Sequence, residues 1–171
     1  MKGMMMMKKM VAGWILVAMS GVYAADMDQQ TGKIKNQVVN VSKGDAEMNA
    51  AISQARATLD DFLALSARQP KGAENFKLKV GFTDPANTTN TEYMWVMTFQ
   101  QTGGKFQGIL TGNPKYVENG DTVHFSRADI VDWGYSIQGK QKGSYTVCVM
   151  FKHMSAKEVK MYREDHGFEC Y

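Results

Sequence analysis

The densest run of chemically capable residues in this chain is His124-Phe125-Ser126-Arg127-Ala128-Asp129-Ile130-Val131-Asp132-Trp133-Gly134-Tyr135. An imidazole, a guanidinium, two carboxylates and two large aromatic rings fall within a dozen positions. Asp132 or Asp129 could act as a general base, while Arg127 holds an anionic group through its planar fork. The same residues have a structural reading. Asp129 and Asp132 can cap turns, and Trp133 can fill a core. That reading is favoured, because a lone acid needs a partner and a pocket to do chemistry. An envelope hydrolase using Asp132 with Glu92 or His124 stays open as the enzymatic alternative.

Other constellations are missing. There is no His-x-x-His, H-E-x-x-H or Cys-x-x-Cys, so the spacing implies no metal, although His124, Asp129 and Asp132 could be gathered into one site. No nucleophile elbow, phosphate loop or dinucleotide fingerprint occurs, so no cofactor is expected. Trp95, Tyr93, Phe99, Trp133, Tyr135 and Tyr145 could line an aromatic cleft or fill a core. The core is favoured for Trp95. Tyr135 and Tyr116, beside loops, suit either.

The start of the chain sets the compartment. Lys2, Lys8 and Lys9 precede an apolar stretch from Met10 to Tyr23, and Val22-Tyr23-Ala24 offers compact residues for cleavage. This is the secretory pattern. The expectation is a signal peptide over 1–24, a flexible lead-in over 25–41 and one domain over 42–171. Of 171 residues, 20 are Lys or Arg and 17 are Asp or Glu. The leader carries three lysines and no acid, so the expected mature chain is electrically balanced. It has no global field to collect nucleic acid, and none to hold an anionic membrane after cleavage. In an oxidising compartment Cys148 and Cys170, 22 positions apart, are more often bridged than catalytic. Two free thiols are the alternative.

The elements that would position these residues follow from periodicity. Ser42-Lys43-Gly44-Asp45 fits a capping box. Met48, Ile52, Ala55, Leu59, Phe62 and Leu63 then recur at helical spacing, which predicts one helix from Asp45 to about Ala67. Phe76, Leu78, Val80 and Phe82 alternate with Lys77, Lys79, Gly81 and Thr83, a strand with one buried and one wet face. Glu92–Gln100 and Lys105–Leu110 flank Gly103-Gly104 as a hairpin. Short strands follow at 121–125 and 133–137, then a loop over 139–143. A last strand spans Tyr145–Lys152 with Cys148 off its core face. Ser155-Ala156-Lys157-Glu158 opens a short helix that ends near Gly167. The class is α+β: a twisted antiparallel sheet of about six strands, a long N-terminal helix packed on it and a short C-terminal helix.

Phe76-Lys77-Leu78-Lys79-Val80-Gly81-Phe82, Glu92-Tyr93-Met94-Trp95-Val96, Phe106-Gln107-Gly108-Ile109-Leu110, Asn113-Pro114 and Asp129–Tyr135 together resemble the YegJ-like bacterial domains of unknown function, the DUF2314 family. The resemblance covers about residues 74–152 in the same order. It implies a bacterial, exported member and brings no activity with it. A shared site would map to Glu92, Trp95, Asn113, Arg127, Asp132 and Trp133, and Tyr135 joins them as a candidate binding residue. The sequence therefore points to a non-enzymatic binding module in the periplasm, or secreted, acting on a protein or envelope component. An immunity-type inhibitor of a secreted toxin is a further alternative.

Overall fold

A computed structural model describes residues 45–112, 115, 117, 118 and 120–170. The expected leader, the lead-in, Ser42, Asn113 and Tyr116 lie outside the described residues. Asp45 opens the first helix, its carboxylate accepting from Glu47 N and Met48 N at 2.9 Å. It satisfies end amides that have no partner inside the helix. The apolar stripe holds throughout, but the helix does not run unbroken. α1 (Ala46–Ala57) and α2 (Leu59–Arg68) divide at Thr58. The cause lies partly in the sheet, because Trp133 Nε1 donates to Ala55 O at 2.9 Å. The Thr58 hydroxyl also donates back to Gln54 O at 2.9 Å, a local bond that competes with the helical ladder and bends it. Gln69, left-handed at φ 42°, ends α2 just before Pro70.

Six strands form one antiparallel sheet in the order β4-β3-β2-β1-β5-β6. They are β1 (Ala73–Thr83), β2 (Thr91–Thr102), β3 (Lys105–Thr111), β4 (Thr122–Ser126), β5 (Ile130–Ile137) and β6 (Lys140–Gly143). A short 3-10 turn at Arg127–Asp129 joins β4 to β5. One face carries Leu78, Val80, Val96, Phe106, Leu110, Phe125 and Trp133, and buries them against Ala55, Leu59 and Phe62 of α1 and α2. Arg56 ties α1 to the start of β5 by donating to Ile130 O at 3.0 Å and Ala128 O at 2.9 Å.

Alternation along β2 reverses once. Met97 pairs with Lys77 on the outer face, yet Phe99 packs its tilted ring against Phe62 in the core. Between them Thr98 takes φ 49° where the β2–β3 register shifts. An extra residue in one strand flips the side chains beyond it.

Two further expectations change. Within the expected loop 139–143, Lys140–Gly143 is a strand, β6. Tyr145–Lys152 is helical, as α3 (Tyr145–Met150) and a 3-10 turn over Phe151–His153. Val147 and Phe151 fit both readings, since residues four positions apart share one face of a strand and lie about one turn apart on a helix. In the structure they join Phe168 in a second core that includes Trp95, Met154, Val159, Tyr162 and Cys170. α4 (Ala156–His166) begins with the expected Ser155–Glu158 capping box and ends at left-handed Gly167. Cys148 and Cys170 are bonded, their Cα atoms 5.3 Å apart. Among the described residues no helix is long and apolar enough to cross a membrane.

Candidate functional site

The residues singled out from sequence do not converge on one cleft. Trp133 and Tyr135 belong to the helix-covered face, where Trp133 stacks on Phe62 at 4.8 Å and Tyr135 on Phe76 at 5.3 Å. Glu92 is on that same face, since it pairs with Phe82. It is buried and accepts Lys115 N at 2.7 Å. Asp132 pairs with Lys79 and points to the opposite face, so the sheet separates Glu92 from it. His124 shares the outer face but sits on β4, four strands from β5, roughly 19 Å away at the usual strand spacing. Arg127 is exposed and pairs with Asp60 at 2.8 Å. Asp129 accepts from Ser126 N and Oγ, which closes the 3-10 turn. Among the described candidate residues, Asp132 and Trp95 share the outer face at close range, one on either side of Lys79, with Tyr93 beside them.

Asp132 is fully buried. Its Oδ1 accepts from Trp133 N at 2.8 Å and Tyr145 N at 3.2 Å. Its Oδ2 accepts from Thr146 N at 2.8 Å and Thr146 Oγ1 at 2.6 Å. The residue before α3, Ser144, sits at φ 56° and offers no side-chain cap. A carboxylate from β5 therefore caps this helix in place of a local one. This explains why residues that read as a strand fold as a helix. Burial pushes the Asp132 carboxyl above its usual range, opposed by the Thr146 bonds and by the charge of Lys79.

Lys79 completes the arrangement. Its ammonium donates to Thr146 Oγ1 at 3.1 Å, and that hydroxyl donates onward to Asp132. Lys77, two residues earlier on the same face, stands over the Trp95 ring with Nζ 4.8 Å from the centroid. Lys79 Nζ lies 5.8 Å from it. Both lysines are half-buried, and burial lowers the pKa of each, with Asp132 pulling back upward. Tyr93 extends the face. A Cβ on Gly81 would lie 3.1 Å from the Tyr93 ring, so the ring lies across the glycine, and it is 48% exposed.

The sequence reading missed these lysines because alternation alone assigns them to a solvated face. The usable signal was the register, since a Trp and an Asp flank Lys79 directly once β1, β2 and β5 are paired. Elsewhere, a shallow groove lined by Phe151, Met154, Val159 and Arg163 contains none of the candidate residues. Among the described residues no three His, Cys, Asp or Glu side chains gather as a metal-binding group.

Comparison with known proteins now gives this arrangement a family. Residues 45–170 match the family described as an uncharacterized protein conserved in bacteria, DUF2314. The chain is 31% identical over 103 residues to the uncharacterized protein YegJ of Escherichia coli (strain K12). That alignment covers 58% of this chain and 64% of the relative, so the chain spans just under two thirds of YegJ's length. No solved structure matches it. With the match running from the cap of α1 to the bridged Cys170, the chain belongs to the DUF2314 family.

Proposed function

We propose that this DUF2314 member is an exported binding module of the bacterial envelope, and that it holds its partner, a protein or envelope component, on the outer sheet face around Tyr93, Trp95, Lys77 and Lys79. One observation carries this. Tyr93 is the exposed large hydrophobic side chain among the described residues, and it lies on the same face as the two lysines. Tyrosine is among the side chains enriched where proteins make contact. Glu92, Asp129 and Asp132, the acids singled out for catalysis, accept hydrogen bonds from the chain's own amides and hydroxyls.

Export rests on the basic, apolar and compact-residue pattern of residues 1–24. Protein recovered from the periplasm or medium should then begin at Ala25. Affinity capture from an envelope extract tests the binding role. Wild-type protein and Arg127→Ala should retain the same partner, while Tyr93→Ser should lose most of it. Equal retention by wild type and Tyr93→Ser would remove the face from consideration.

A further inference from the structure

Three side chains crowd the outer side of Gly134. A Cβ there would meet Ser144 Oγ at 2.6 Å, Gln141 Nε2 at 2.8 Å and Lys77 Cε at 3.1 Å. The missing side chain is what lets strand β6 and the β1 lysine approach one another over β5. Ser144 is fully buried and accepts from Gln141 Nε2 at 3.3 Å, and Lys142 O accepts from the same nitrogen at 3.4 Å, two long bonds that steady the amide beside Lys77.

The charges here do not balance. Lys77 and Lys79 face a single carboxylate, Asp132, and its oxygens already accept four hydrogen bonds. Lys79 reaches Asp132 through the Thr146 hydroxyl. Among the described residues Lys77 has neither an ion pair nor a hydrogen bond, and the Trp95 ring walls one side of its ammonium. A half-buried cation without a counter-charge favours an anion that brings one. The surplus positive charge argues equally against a metal cation at this position.

We infer that Lys77 Nζ and Gln141 Nε2, beside the Trp95 ring, form a site for one oxyanion, a carboxylate or phosphate group carried by the ligand of this face. The assignment rests on the binding face proposed above and adds its chemical selectivity. Lys77 supplies the charge-assisted bond, Gln141 a second donor once the anion displaces its long 3.4 Å bond to Lys142 O, and Trp95 a flat wall that keeps water from one side.

The test is an NMR titration of the isotopically labelled protein with sodium phosphate and, separately, sodium acetate, with ionic strength held constant by sodium chloride. Saturable shifts are expected at the Trp95 indole and the Gln141 side-chain amide. Affinity should fall by about tenfold or more in Lys77→Gln, the loss of one charge-assisted bond, and also fall in Gln141→Leu. It should be unchanged in Lys105→Gln, whose lysine lies at the far end of β3. Saturation by phosphate alone assigns a phosphoryl ligand, and saturation by acetate alone assigns a carboxylate one. Shifts that never saturate with either anion, or equal affinity in wild type and a folded Lys77→Gln, would overturn the inference. If partner capture still depends on Tyr93 while neither anion saturates, the oxyanion site falls and the binding face stands.

Discussion

Truncating Asp132 removes one side chain but leaves four donors without an acceptor and a lysine without its counter-charge. Tyr145 N, Thr146 N and Thr146 Oγ1 lose their partner at the start of α3, Trp133 N loses its own, and Lys79 loses its counter-charge. Breaking one side of a buried charge pair costs about 3–5 kcal/mol. Asp132→Ala should lose about that much in urea unfolding, with loss of helical signal, and should not behave as a folded variant lacking only an activity. Lys77 is the contrasting case. Burial lowers its pKa, so its charged form costs stability at neutral pH. That cost is full below the folded-state pKa and fades as pH rises from there to the ordinary lysine value of 10.5. Lys77→Met should therefore be neutral to stabilising at pH 7, and its advantage over wild type should shrink as unfolding is repeated toward pH 10.5. A binding residue retained at some cost to the fold is what a stability–function trade-off predicts.

At the scale of elements, local rules decided most of the chain. Alternation in Phe76–Phe82, the Gly103-Gly104 turn and the Ser155–Glu158 box each specify their structure from a few residues, and each forms as expected. Two of the failures share a cause. Tyr145–Met150 becomes helix because Asp132, 13 positions before Tyr145, caps it. The helix breaks at Thr58 partly because Trp133 Nε1, 78 positions from Ala55, takes its carbonyl. Neither long-range bond leaves a trace in local spacing. The candidate site was legible to the same degree. Asp132 and Trp95 stood out by type, but Lys77, Lys79, Thr146 and Gln141 matter only through register. The bulge at Thr98 gives a test at this scale. A β-branched residue at φ 49° is strained. Thr98→Gly should relieve it, despite glycine's poor strand propensity, and raise the unfolding free energy by about 1 kcal/mol.

Across the whole molecule, the two cores are joined through the sheet. Trp95 belongs to the second, which α3 and the C-terminal segment build over the outer face. The Cys148–Cys170 bridge closes 22 positions of chain across that core. A loop of this size is worth about 3 kcal/mol in the chain-entropy account. Reduction should lower the urea midpoint by a corresponding amount, and Trp fluorescence should report a more solvated Trp95 before the main transition. The C-terminal segment also does something to the border of the sheet. Gly167 O accepts Gln141 N of β6 at 2.9 Å, and a Cβ on Gly167 would strike Gly139 O. The tail thus covers part of that margin, whereas β4 pairs only with β3 among the described strands. Unpaired margins are where copies of a protein template one another. Endless stacking needs two of them. With the tail lying across one, edge-to-edge pairing of this molecule is left chiefly to β4, where two copies meet as a closed pair.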